Sequence, residues 1–154
     1  MKKILFVCLL ALSFCSIALP NVSVQAVSKD TTQANKQLVE SFWNELFNKH
    51  NVSVLDNAVS STYIQHNPTF PDGKEAFKIA VAGFLKEFPE SSAEIKHIVA
   101  EKNYVFIHNH IKLNPQDRGQ AAVDIFRVEN GKIVEHWDVI QDIPEKSENG
   151  NAMF

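Results

Sequence analysis

Asp124 stands inside an apolar stretch, Val123-Asp124-Ile125-Phe126, where nothing but a strand pattern would otherwise be read. His136 and Asp138 lie two residues apart further on, so in an extended chain they share a face. Three more histidines interrupt regular patterns: His66 just before Pro68, and His108 and His110 in one segment. A carboxylate among apolar neighbours must be hydrogen-bonded or line a cavity. Desolvation raises its pKa, which suits it to proton transfer near neutral pH. An imidazole beside it can relay the proton or donate a hydrogen bond. His108, His110, His136 and Asp138 also offer nitrogen and oxygen atoms to a metal. His108 and His110 would not suffice alone, and no helical His-x-x-x-His motif is present, so no metal site is expected.

Which of these groups meet depends on one hairpin. If Asn130-Gly131 is a two-residue turn, Glu129 faces Lys132 and Asp124 faces Trp137. If the turn is Glu129-Asn130-Gly131 with Gly131 in a left-handed bulge, Val128 faces Lys132, Asp124 faces His136 and Ala122 faces Asp138. One residue of slip exchanges the faces of the whole strand. The second register gathers Asp124, His136 and Asp138 on one side, and it is the expected one. His50 and His97 are read as solvent-facing. Trp137 reads as a packing residue, and Arg127 as an outward ion-pair partner for Glu135 or Asp138.

The elements that must hold these residues follow from periodicity. Apolar residues from Ala34 to Phe47 recur every three or four positions, which predicts a helix over Gln33–His50. Ser53 to Asp56 has the form of a capping box opening a short helix to about Val59. Tyr63–Asn67 reads as a brief strand. Asp72 is placed to cap a helix whose apolar face is Phe77, Ala80, Val81, Phe84, Leu85 and Phe88, ended by Pro89. Beyond Pro89 the period becomes two, and Ala93–Ala100, Tyr104–Leu113, Gly119–Glu129 and Lys132–Asp142 read as strands separated by turn signals. Helices followed by an antiparallel meander define an α+β fold, with a curved sheet wrapped on the N-terminal helices.

The chain has 154 residues, 45% hydrophobic and 21% charged, the balance of a single globular domain. The net charge of −3 argues against a nucleic-acid partner. Lys2 and Lys3, the apolar run from Ile4 and the Val24-Gln25-Ala26 site read as a cleavable signal peptide over residues 1–26, cut after Ala26. The expected location is secreted or periplasmic, with no membrane contact after cleavage. Removing 26 of 154 residues leaves 128, with 13 basic and 18 acidic residues, and takes away both Cys8 and Cys15. Residues 27–32 are expected to be a flexible lead-in, 33–142 the domain and 143–154 a polar tail.

The segment Asp124-Ile125-Phe126-Arg127-Val128-Glu129-Asn130-Gly131-Lys132-Ile133-Val134-Glu135-His136-Trp137-Asp138 resembles the closing hairpin of SnoaL-like proteins of the nuclear transport factor 2-like superfamily. Tyr63-x-x-His66-Asn67-Pro68 resembles a second segment of that group. The resemblance implies a cone-shaped α+β domain around a deep apolar pocket, frequently dimeric, that takes a small apolar molecule without metal or organic cofactor. Members include polyketide cyclases and ketosteroid isomerase as well as binding modules. In ketosteroid isomerase the segment resembling Asp124-x-x-Arg127 carries a pocket aspartate. That enzyme's tyrosine oxyanion donor finds no match. For a cyclase, Asp124 or Asp138 would be the base that removes a proton beside a carbonyl, and His136 or His108 its partner. His66, His110, Tyr63, Phe126 and Trp137 would contact the ligand. A homodimer and a non-catalytic binding module both remain open.

Overall fold

The computed structural model describes residues 28–154. The signal-peptide assignment and both cysteines therefore lie outside the described residues. Among the described residues, no helix is long and apolar enough to cross a membrane.

Helix α1 spans Lys29–Trp43, so most of the expected lead-in is helical. The reason is Ser28, whose side chain accepts from the Thr31 backbone N–H at 3.1 Å and caps the helix four residues earlier than the apolar pattern suggested. Val39, Phe42 and Trp43 form its buried face. A π-helical turn, Asn44–Asn48, follows and buries Leu46. Asn48 then grips the sheet edge: its Oδ1 accepts from Ala93 N at 2.8 Å and its Nδ2 donates to Ala93 O at 3.1 Å. Asn48→Ala leaves the Ala93 N–H unpaired, and a loss of about 1–3 kcal/mol in urea denaturation is expected.

Helix α2, Val54–Ala58, is not held by the expected capping box. Ser53 Oγ donates to Asn51 Oδ1 instead, and Asp56 pairs with Lys78 at 2.5 Å. Lysines serve its C-terminal carbonyls, where cations are favoured: Lys74 reaches Asp56 O and Val59 O, and Lys132 reaches Asn57 O. Helix α3, Lys74–Glu87, buries Phe77, Val81 and Leu85. Its N-cap is Gly73 rather than Asp72. The Asp72 carboxylate accepts from the Gln65 and Gly73 N–H groups, tying the end of β1 to the start of this helix.

The strands are β1 Val59–Gln65, β2 Ser92–Glu101, β3 Tyr104–Lys112, β4 Gln120–Glu129 and β5 Lys132–Asp142. They form one curved, unclosed sheet in the order β1-β5-β4-β3-β2. The meander from β2 to β5 is antiparallel as expected, but β1 adds to its far edge parallel to β5, so the sheet is mixed. The inner face, carrying Val105, Ile107, Phe126, Val128 and Ile133, packs on the helices through Val39, Phe42, Trp43, Leu55, Phe77 and Val81.

The β4–β5 register differs from both sequence alternatives. Asn130 and Gly131 have φ of 50° and 70° and make a two-residue turn, with Glu129 opposite Lys132. The pairing then jumps: Val128 faces Ile133, but Arg127 faces Glu135. Val134 is the extra residue of a β-bulge, which is why Ile133 and Val134 are both buried. Past the bulge Asp124 faces Asp138, and Phe126 faces His136. The expected register is thus two positions off. Two positions preserve facing, so Asp124, His136 and Asp138 still share the inner face.

Candidate active site

Alternation along each strand sorts the candidate residues onto two faces. Tyr63 and Gln65 on β1, Asn109 on β3, Asp124 and Phe126 on β4 and His136 on β5 are buried on the inner face, joined by the half-buried Asp138. His66, His108, His110 and Trp137 occupy the opposite phase and lie on the outer face, which corrects the expectations that His66, His110 and Trp137 contact a ligand in the pocket and that His108 partners the base. His66 stacks on Trp137 with ring centroids 4.7 Å apart and bonds Glu135 at 2.8 Å. Arg127 also pairs with Glu135, the outward role expected of it. Partial burial would raise the Glu135 carboxyl, but its bonds to His66 and Arg127 hold it below the ordinary value. Of the histidines, His136 alone enters the cavity wall.

Inside, hydrogen bonds form a chain whose direction can be deduced. Gln65 Oε1 receives the Asn67 backbone N–H at 2.9 Å, and a backbone N–H can only donate. That fixes Gln65 with its oxygen toward His136 Nδ1, 2.8 Å away, and its Nε2 donating to the Tyr63 hydroxyl at 2.9 Å. His136 Nδ1 must therefore carry a hydrogen. Its Nε2 sits 2.8 Å from Asp124 Oδ1. A neutral imidazole with Nδ1–H has only a lone pair at Nε2, and a carboxylate has only lone pairs too. One proton must lie between Asp124 and His136, on either partner. Asn109 Nδ2 donates to the other oxygen, Asp124 Oδ2, at 2.6 Å and also meets Ala122 O, which sets the amide's orientation.

Electrostatics agree with this arrangement. Asp124 is only 3% exposed. Burial pushes its carboxyl above the ordinary value, aided by the Asp138 charge, against the lowering by His136 and Asn109. Tyr63 is pushed up by burial and then by the charges of Asp138, Asp124 and Asp72, so its hydroxyl stays protonated. That hydroxyl accepts from Gln65, and among the described residues nothing takes its own hydrogen. Asp138 Oδ2 accepts from Asn67 Nδ2 at 2.5 Å, while Asn67 Oδ1 is held by Thr69 N and Oγ1. The second Asp138 oxygen has no partner among the described residues.

These groups form part of the wall of a cavity of about 310 Å³. The rest of the lining is mostly apolar, with aromatic rings such as Phe42, Trp43, Phe47, Phe70, Phe77 and Phe126 beside aliphatic Ile111, Leu113, Ile133 and Ile140. Phe126 meets both Phe42 and Trp43 edge to face, with ring centroids 6.1 Å apart. Asp124, His136 and Asp138 each offer one ligand atom within 4.8 Å of the others.

Gln65, Asn67 and Asn109 join the site without being among the residues expected from the sequence. Each had a signal. Asn109 falls in the apolar phase Val105, Ile107, Asn109, Ile111, and Gln65 and Asn67 alternate with Tyr63.

A helix-backed curved sheet around an aromatic cavity, with acid–base groups along one wall, defines a pocket domain of the nuclear transport factor 2-like class. The family model described as SnoaL-like polyketide cyclase matches residues 37–146. This chain belongs to the SnoaL-like polyketide cyclase family. Among solved structures, it is similar to a SnoaL-like protein of unknown function from Burkholderia thailandensis E264, with a TM-score of 0.63 and 16% identity over 76% of this chain and 99% of that one. It is also similar to a protein provisionally named a polyketide cyclase from Bacillus cereus ATCC 10987, with a TM-score of 0.63 and 21% identity over 73% and 78% of the two chains. TsrD from Streptomyces laurentii gives a TM-score of 0.58 and 22% identity over 70% and 88%. No curated protein matches.

Proposed function

We propose that this protein is an acid–base catalyst, of aldol-condensation or isomerase type, acting on a small apolar carbonyl compound held in the aromatic cavity. The observation that carries this reading is the one-way hydrogen-bond chain. It runs from the Asp124–His136 proton through Gln65 to Tyr63, whose O–H remains free. Each donor polarises the next, so the Tyr63 O–H is a strengthened donor. It suits the oxygen of a carbonyl on which negative charge develops. The unpartnered oxygen of Asp138 is the base that takes the neighbouring carbon-bound proton. His136 spends both nitrogens within the chain, so it acts through Tyr63. Asp124 shares with His136 the proton that charges the relay. The aromatic lining excludes water and favours a flat, largely apolar ligand. Export of the domain, with cleavage after Ala26, is part of the proposal, and the N-terminal sequence of protein recovered outside the cytoplasm tests it.

Tyr63→Phe removes the donor and is expected to lower turnover by about 10²- to 10³-fold, as for loss of one oxyanion donor. It also strands Gln65 Nε2, so a drop in stability of about 1–3 kcal/mol should accompany it in thermal or urea unfolding. Mass spectrometry of the ligand retained by the purified protein tests the substrate class. A compound with an enolisable carbonyl is expected. A retained ligand with no carbonyl would favour the binding-module reading.

A further inference from the structure

The outer sheet face carries a histidine pair that the proposed reaction does not use. His97 on β2 lies directly opposite His108 on β3, and their Nδ1 atoms face each other at 3.4 Å with the rings within 10° of parallel. A bulge delivers His97 there. Ile95 faces Asn109 on the inner side, the register then shifts at Lys96, and His97 emerges on the outer side. Bulges recur where a side chain is re-aimed. Without this one, His97 would have pointed inward. Among the described residues neither imidazole has a polar partner other than its mate.

We propose that His97 and His108 form a surface site for a divalent late transition metal ion, a reading that goes beyond the chemistry of the cavity. Neutral imidazole is the commonest metal ligand. Two nitrogens bound to one tetrahedral ion at about 2.0–2.1 Å stand roughly 3.3 Å apart. The observed separation fits that edge, so binding requires small side-chain rotations and no backbone movement. The nitrogen-only donor pair selects ions such as Cu²⁺, Ni²⁺ or Zn²⁺ over Mg²⁺ or Ca²⁺, with Cu²⁺ tightest. His110 lies two residues along on the same face but is directed elsewhere, with its Nε2 donating to Arg118 O at 2.7 Å. The Phe154 ring packs against both His108 and His110. Lys96 is drawn aside by Glu94 and sits over Phe154. Two imidazoles therefore supply the protein ligands, and solvent completes the coordination.

Titration of the full chain with Cu²⁺ alone, followed by calorimetry and electron paramagnetic resonance, tests this. One ion per chain with coupling to two nitrogens is expected. His97→Gln and His108→Gln should each weaken binding at least about tenfold while leaving metal-free melting unchanged. Asp138→Asn, which disables the only other candidate cluster among the described residues, should leave binding unchanged. Unchanged affinity in His97→Gln, or its loss in Asp138→Asn, overturns the proposal.

Discussion

Asp138→Asn is expected to cut turnover by about 10²- to 10⁴-fold, the span of a general base, with ligand affinity nearly preserved. The amide is isosteric and keeps an oxygen to accept from Asn67 Nδ2, so the loop at Asn67 and Thr69 should not move. What vanishes is the unpartnered oxygen facing the cavity, the one basic lone pair not already committed to the protein. The loss should therefore appear in kcat at constant Kd, the pattern of an interaction made only during the chemical step. Steady-state kinetics together with calorimetric binding of the retained ligand checks it. Equal kcat in the variant and the natural protein would remove Asp138 from the mechanism.

The second large effect is a split between two substitutions at Asp124. Asp124→Ala removes one partner of a buried hydrogen-bonded pair. It leaves Asn109 Nδ2 with only the 3.4 Å contact to Ala122 O and leaves His136 Nε2 facing a void. The expected cost is about 3–5 kcal/mol in urea denaturation. Asp124→Asn should cost little. The new amide can donate to the Nε2 lone pair of a neutral His136 and accept from Asn109, so every member of the chain keeps a partner.

The same comparison carries a pH dependence. Burial raises the Asp124 carboxyl above its unfolded value. A raised folded value means that the stabilisation is full below the ordinary carboxylate range, about pH 4, and is lost as pH rises through the folded value. The amide has no such dependence. Moving from acid toward alkaline conditions should therefore shift the stability difference in favour of Asp124→Asn, and a difference independent of pH would contradict the shared proton.

How far the sequence reached can be seen at particular residues. The change from period 3–4 to period 2 after Pro89 places the helices and the meander, because amphipathic elements must bury one face. Asn130-Gly131 marks the hairpin, since both positions need positive φ. The inward carboxylate at Asp124 follows from its apolar flanks. The bulge at Val134 was not legible, because a single extra residue is set by how the strand must bend over the helices rather than by local propensity. The parallel pairing of β1 was not legible either, being a contact between distant segments.

Other misses came from phase rather than from missing information. Tyr63 and His66 are an odd number of residues apart and cannot share a strand face, and the same holds for His136 against Trp137. Taking Tyr63 as inward already implies Gln65 and Asn67, and sends His66 out. On β3 the apolar frame Val105, Ile107, Ile111 admits Asn109 and excludes His108 and His110. Histidine and aspartate attract functional readings, whereas the relay here passes through a glutamine and a tyrosine.

Removal of a proton beside a carbonyl is the step that the proposed function requires of the cavity. Incubating the protein in D₂O with its retained ligand and following deuterium entry at the carbon next to the carbonyl, by NMR or mass, tests that step without knowledge of the product. Incorporation well above the buffer rate is expected, with a fall to the buffer rate in Asp138→Asn. A ligand that stays bound in the cavity while exchanging no faster than in buffer would contradict it and leave a binding module.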